Sequence, residues 1–321
     1  MAKAIRFNQL GGPEVLHVED LPKRQPGLGE VLLKVEAVGL NRAESMYYHG
    51  FYMEKANLPS GLGYEAVGKV IAAGPEVDPA LIGKRFGTIP GYSMNQFPVL
   101  AEEAVVPVGV LAAVPESFSA VEAAAVWMQY CTAYGALVPF GKVAAGDFVI
   151  ITAASSSVGL AAIQIVKTQG GASIATTRTS AKKDQLIALG ADHVIVTEEE
   201  DLVARVQSIT AGKGARVVFD PVGGDYINAL AQATANGGTI FFLWHALWQA
   251  HALPHGGIWP SHRHVRLHLR PTARHPGVGN HEEVHLRSSG GWDLQARDRE
   301  DLPLRSNRRS LQIPGKQPAD R

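Results

Sequence analysis

Apolar and polar positions alternate along the first part of the chain. KAIRFNQ (3–9), EVLLKVEAVGL (30–40), AVGKVIAAG (66–74) and AEEAVVPVG (101–109) predict short strands between glycine- and proline-bearing loops, a compact β-rich unit. From Val121 the apolar spacing becomes helical, and VEAAAVWMQYCTAYGALV (121–138) predicts one helix with small residues for close packing. Short apolar runs then alternate with helical stretches. DFVIIT (147–152), ASIATTR (172–178), HVIVT (193–197), ARVVFDPV (215–222) and GTIFFL (238–243) predict strands. VGLAAIQIVKTQG (158–170), SAKKDQLIALG (180–190), DLVARVQSITAG (201–212) and YINALAQATANG (226–237) predict the helices between them. Alternation of this length predicts right-handed βαβ crossovers and an α/β fold with a doubly wound parallel sheet. Five strands precede residue 244, one short of a six-stranded dinucleotide fold.

Composition changes the picture at that point. Residues 1–243 hold 11 Lys, 7 Arg, 3 His and 1 Trp, whereas 244–321 hold 1 Lys, 11 Arg, 9 His and 4 Trp. The last segment therefore differs in kind from the rest and lacks a periodic apolar face, so low order is expected there. Over the whole chain 30 basic residues balance 30 acidic ones, and nothing global points to nucleic acid or membrane. The single cysteine, Cys131, rules out an internal disulfide and argues against a thiolate metal site. Its apolar helical neighbours place it in the core. No run approaches transmembrane length and no signal peptide is evident, so a cytoplasmic protein is expected.

The candidate chemistry begins in the turn TAASSSVGLAAIQ (152–164). A dinucleotide site needs a tight turn, backbone that can approach a pyrophosphate, and a helix N-terminus aimed at it. Here Ala154, Ser155, Ser156, Ser157 and Val158 precede Gly159 at the helix-packing position, without the strict G-x-G-x-x-G pattern. An ordinary strand–helix turn is the competing reading; the βαβ context favours the cofactor. The next strand ends in ATTRTSAKK (175–183), with Thr177, Arg178 and Lys182 and no acid before Asp184. Basic residues suit a 2′-phosphate, so NADP(H) is favoured over NAD, the alternative being a solvated basic helix start.

GLNRAESMYYHGFY (39–52), LPSGLGYEAVGKVIAAG (58–74), QYCTAYGAL (129–137), AASSSVGLAAIQ (153–164), LGADHVI (189–195) and DPVGGDYINAL (220–230) together carry a resemblance. Over residues 3–243 the chain resembles the medium-chain dehydrogenase/reductases, specifically their zinc-free quinone oxidoreductase (zeta-crystallin-like) branch. The resemblance implies a GroES-like β-rich substrate domain over 1–125 and a Rossmann NADP-binding domain over 126–243, with NADPH in the cleft and a homodimer. Where zinc-dependent members place a Cys and a His-Glu pair, this sequence has Asn41 and Tyr64 before Glu65, and the four-cysteine lobe is absent. Asn and Tyr do not replace the S and N donors of a tetrahedral zinc site, so no metal is expected.

By the same resemblance Asn41 and Thr132 lie near the nicotinamide, and Val222, Gly223, Phe242 and Leu243 border the cofactor. Tyr47 and Tyr64 are placed at the substrate pocket, with Tyr64 donating a hydrogen bond to the acceptor. The competing reading of each tyrosine is a packed aromatic with a satisfied hydroxyl. The implied activity is NADPH-dependent hydride transfer to a small quinone, enone or related carbonyl, with Asn41, Tyr47 and Tyr64 as catalytic residues. Alternatives are an NADPH-binding structural protein of the crystallin kind with little turnover, or an inactive frame-shifted product.

Residues 244–321 admit three readings: a disordered His/Arg-rich tail, a metal site at HRHVRLH (262–268), or a segment out of frame. The histidine spacing matches no defined metal site. Back-translated with permitted codons and read from the second base, RSNRRSLQIPGKQPADR (305–321) becomes DPIVEAYRYLESNQLIG, which resembles the family's closing helix. The same shift turns GGIWPSHRHVRLHLR (256–270) into AAFGLHIAMSGYTFV and HALWQAHALPH (245–255) into TLSGKPTPFPT, resembling its sixth Rossmann strand and the preceding loop. One common offset at or just before Trp244 accounts for all three, and the literal chain is then expected to be unstable or inactive.

Overall fold

The computed structural model describes residues 1–224 and 226–243, together with the backbone of 265–269 and 282–286. The alternating segments form two antiparallel sheets. β1 (Ala2–Phe7), β2 (His17–Leu21) and β4 (Ser60–Gly61) make one, in the order β2-β1-β4. β3 (Glu30–Gly39), β5 (Glu65–Ala73), β6 (Arg85–Thr88), β7 (Glu103–Pro107) and β8 (Leu111–Ala113) make the other, in the order β7-β3-β5-β6-β8. Apolar positions of β3, β5 and β7, among them Val31, Leu33, Val70 and Val106, meet in one buried cluster. Helix α1 (Arg42–Tyr48) packs Tyr47 and Tyr48 with Phe7, Leu62, Tyr64 and Met94 in a second.

The remainder is a parallel sheet with helices on both faces. Its strands are β9 (Phe148–Ile151), β10 (Ala172–Thr177), β11 (His193–Val196), β12 (Ala215–Asp220) and β13 (Thr234–Phe242). α4 (Ser157–Thr168), α5 (Lys183–Ala188), α6 (Leu202–Ile209) and α7 (Ile227–Ala233) connect them. Val149 and Ile151 pack into one apolar cluster with Ile163, Val166 and Phe219. Ile150, between them, packs into the other with Ile174, Val218 and Ile240. Burial on both faces explains why the strands read as unbroken apolar runs, and emptying one such site to alanine costs about 2–5 kcal/mol.

The strand order is β11-β10-β9-β12-β13, continued by β14 (Val265–Leu269) and β15 (Glu282–Leu286). β14 runs parallel to β13 and β15 antiparallel to β14. These two strands extend the edge at which the sequence left five, and at 265–269 and 282–286 they depart from the low order expected of this segment. Apart from those backbones, the frame-shift and metal-site readings of 244–321 lie outside the described residues. From β9 the chain winds outward to β10 and β11, then returns to lay β12 on the other side of β9. That reversal opens a crevice at the C-terminal ends of β9 and β12, where doubly wound sheets bind ligands.

Three expectations change. The helix expected over 121–138 is three pieces: α2 (Ala120–Ala123), α3 (Trp127–Gly135) and a wider turn, Ala136–Phe140, containing Pro139. The first break admits a carboxylate from the β-rich part, described below. α7 stops at Ala233 because β13 begins at Thr234, whose hydroxyl donates to the Leu230 carbonyl at 2.6 Å. Cys131, expected in the core, is exposed on α3; the buried face of that helix is marked by Ala133. Among the described residues no helix is long and apolar enough to cross a membrane.

Candidate active site

The loop after β9 takes the tight course a nucleotide turn requires. Ala153 adopts φ 44°, a left-handed conformation unusual for a residue with a side chain. Ala154 is fully buried beneath it. Ser156 caps α4, its Oγ accepting the Gly159 N–H at 3.1 Å. A Cβ at Gly159 would lie 2.6 Å from the Ala153 carbonyl oxygen and 2.7 Å from the Ala154 Cα, both backbone atoms that cannot step aside. Glycine is therefore obligatory for helix and loop to meet this closely. Ser157 and Val158 form the first turn, which leaves its leading N–H groups without intrahelical acceptors and carries no acidic residue. Such an end suits an anion.

Lys182, just before α5, reaches across to this loop, and its Nζ donates to Ser155 Oγ at 3.3 Å. Thr177 closes β10 and Arg178 follows it, exposed. Asp220, buried at the end of β12, holds the opposite wall. Its carboxylate accepts the Thr152 hydroxyl and the backbone N–H groups of Val222 at 3.0 Å and Gly223 at 3.2 Å. Gly223 and Gly224 take φ 70° and 87°, a left-handed pair that turns the loop over the strand ends. Leu243 closes this wall, its N–H donating to the Asp220 carbonyl at 3.1 Å, next to buried Phe242. The residues expected at the cofactor from 152 to 243 thus share one end of the sheet.

On the β-rich side, Asn41 caps α1 in a capping box with Glu44, whose Oε2 accepts the Asn41 N–H at 2.9 Å. The Asn41 amide donates to Glu65 Oε2 at 3.3 Å and the Gly39 carbonyl at 3.4 Å. Glu44 is buried and its other oxygen accepts the Tyr64 N–H at 3.1 Å. Burial pushes its carboxyl up to about 7, against the pull of these N–H donors and aided by the charge of Glu65. Glu65, also buried, is raised by the same cause, opposed by the Asn41 amide and the N–H groups that open α3. One of those donors is the Trp127 N–H. Thr132 stands on α3 beyond this junction, half-buried, its hydroxyl 4.0 Å from Met128 Sδ.

The two tyrosines differ. Tyr47 is fully buried and its hydroxyl is bonded to Ser60 Oγ at 2.9 Å and Asn95 Oδ1 at 2.8 Å. Tyr64 lies in an aromatic group, 6.0 Å from the Tyr52 ring and 5.7 Å from Tyr92. Its carbonyl is held by the hydroxyls of Thr88 and Tyr92. Burial first, and then neighbouring Tyr52, which also hydrogen-bonds with it, holds the Tyr64 phenol well above its usual range, so it stays neutral. The structure brings Asn41 and Tyr64 together through Glu44 and Glu65, neither of which was singled out from the sequence. Glu44 carried a local signal, the N-x-x-E capping spacing; Glu65 stands at the glutamate of the family's His-Glu pair, but its bond to the Trp127 N–H, like that of Asp220 to Thr152, joins residues far apart along the chain.

Comparison with known proteins places both halves. Residues 27–116 match the alcohol dehydrogenase GroES-like domain family, and residues 157–268 match the zinc-binding dehydrogenase family. The chain is 36% identical over 227 residues to a quinone oxidoreductase of Pseudomonas aeruginosa, covering 70% of this chain and 68% of that protein. The solved structure of a quinone oxidoreductase from Pseudomonas syringae pv. tomato matches with a TM-score of 0.69 at 33% identity, over 76% of this chain and 74% of that one. The Escherichia coli quinone oxidoreductase complexed with NADPH matches with a TM-score of 0.69 at 30% identity, over 76% of this chain and 73% of that one.

Proposed function

This chain belongs to the medium-chain dehydrogenase/reductase superfamily and is an oxidoreductase, and on that premise we propose that it transfers a hydride from NADPH to a quinone, an enone or a related carbonyl without a metal ion. The observation that carries the cofactor choice is Lys182 Nζ lying 3.3 Å from Ser155 Oγ in the nucleotide loop. A cation there is placed for a 2′-phosphate, and no acid closes β10 to bind ribose hydroxyls. The relative solved with NADPH supports the same choice.

The donor set does not fit zinc. Asn41 offers only a neutral amide, already turned to Glu65 and Gly39. The Glu65 oxygens serve Asn41 and the start of α3, and a buried neutral phenol at Tyr64 is no zinc ligand. Among the described residues no three His, Cys, Asp or Glu side chains gather in a way that could hold a metal ion.

When bound in the crevice, a reduced nicotinamide would supply the hydride. The chain's own work is positional: the α4 N-terminus and Lys182 would hold the phosphates, and Val222, Gly223 and Leu243 would line the nucleoside side. Asn41 and Thr132 would border the ring, and the Tyr64 hydroxyl would donate to the acceptor oxygen as negative charge develops on it. Because Tyr64 keeps its proton, it stabilises that charge by hydrogen bonding, and water supplies the proton that completes the hydroquinone or reduced enone. The test is stoichiometry: with 1,4-benzoquinone, one NADPH should be oxidised per hydroquinone formed. NADPH binding without quinone-dependent oxidation would refute the activity and leave a binding protein.

A further inference from the structure

We infer that Glu65 is the positioning residue that joins the two halves of the cleft, fixing the start of α3 against the loop that carries Asn41. Its effect on turnover rests on the function proposed above; its mechanical role does not.

Helix α3 has no cap of its own. Val126 at its N-cap position has helical backbone angles and makes no side-chain cap bond, and the first turn has no acidic residue. A helix start leaves several N–H groups seeking acceptors and favours negative charge. Glu65 answers both needs from the first residue of β5, on the other side of the domain junction. One oxygen takes the Trp127 N–H, 62 residues away, and the other takes the Asn41 amide, 24 residues away. Its side chain is buried, so water does not substitute for either partner.

The packing around it supports a built joint. A Cβ at Gly39 would lie 2.1 Å from the Ala124 carbonyl oxygen and 2.7 Å from Glu65 Oε2. The end of β3, the segment after α2 and the Glu65 carboxylate thus converge where only glycine fits. α3 carries Thr132, and Asn41 opens α1, so the two groups assigned to the nicotinamide are referenced to one carboxylate. Small displacements in such a constellation carry large rate penalties. Glutamine at 65 keeps the shape and one acceptor but sets an NH₂ group against one of the two donors, so one half of the joint is released.

The experiment compares the full wild-type chain with Glu65→Gln by NADPH-dependent reduction of 1,4-benzoquinone and by amide hydrogen exchange. With unchanged circular dichroism, Glu65→Gln should lower kcat about tenfold or more while shifting the NADPH KM less than about threefold, as loss of positioning requires. Exchange in residues 126–131 should quicken about tenfold or more while α4 keeps its wild-type rate. A kcat within about twofold of wild type, or unchanged exchange at 126–131, overturns the inference. If the wild-type chain reduces no quinone, the proposed function fails and the exchange comparison alone decides the role of Glu65. If Glu65→Gln does not fold, Glu65→Asp is read the same way, because its shorter carboxylate reaches only one partner.

Discussion

Glu44 makes stability depend on pH in a direction opposite to that of a surface carboxylate. Its carboxyl is raised from 4.5 to about 7 by burial in the folded chain. A raised folded-state value means that the native state binds a proton the unfolded chain releases. The stabilising contribution is therefore complete below the unfolded value and is lost as pH rises through about 7. The shift corresponds to about 3 kcal/mol, an order-of-magnitude figure. Glu44→Gln removes the titration but leaves one of the N–H groups of Asn41 and Tyr64 facing an NH₂ group, a penalty of about 1–3 kcal/mol that does not vary with pH. Urea unfolding followed by circular dichroism at about pH 5.5 and about pH 8 separates the two effects. Wild type should exceed the variant clearly at the lower pH, and the gap should narrow by about 2 kcal/mol at the higher. Shifts of groups remote from Glu44 cancel in the difference, whereas Glu65, whose charge is coupled to that of Glu44, contributes to it. Parallel profiles, with a gap constant to about 0.5 kcal/mol, would refute the assignment of the raised carboxyl to Glu44.

Gly159→Ala drives a methyl group into the Ala153 and Ala154 backbone and should destabilise the fold by about 1–3 kcal/mol, read as a lower urea midpoint, with weaker NADPH binding. Lys182→Ala should raise the NADPH dissociation constant about tenfold and leave NADH binding within about twofold, by fluorescence titration; equal losses would mean that Lys182 does not meet the 2′-phosphate. Tyr64→Phe should lower kcat about tenfold or more with folding intact, whereas an unchanged kcat would return Tyr64 to the packed-aromatic reading.

The sheet was legible because its strands are buried on both faces and therefore stand out as apolar runs. Ser156 and Gly159 were legible for a related reason: strand-to-helix turns restrict which residues can cap and which can pack. Lys182 stood out by its charge at a strand end, and its Nζ lies 3.3 Å from Ser155 Oγ. What stayed hidden depends on contacts remote in sequence. The break before α3 has no proline or glycine to announce it; it exists where the Glu65 carboxylate enters from β5. Cys131 shares an apolar run with buried neighbours, and only the rotation of α3 turns it outward. The residue type of Tyr47 gave no hint that Ser60 and Asn95 would occupy its hydroxyl. Asn41 was read for the nicotinamide, although its N-x-x-E spacing already described a helix cap.

The central claim is NADPH-specific, metal-independent hydride transfer, and one measurement bears on it most directly. Initial rates of nicotinamide oxidation by 1,4-benzoquinone would be recorded for the full chain with NADPH and with NADH, each with and without a strong chelator. The account predicts turnover that the chelator leaves unchanged and a kcat/KM for NADPH about tenfold or more above that for NADH. Activity that appears only with added zinc, an equal or greater kcat/KM for NADH, or no turnover with either nucleotide would contradict it.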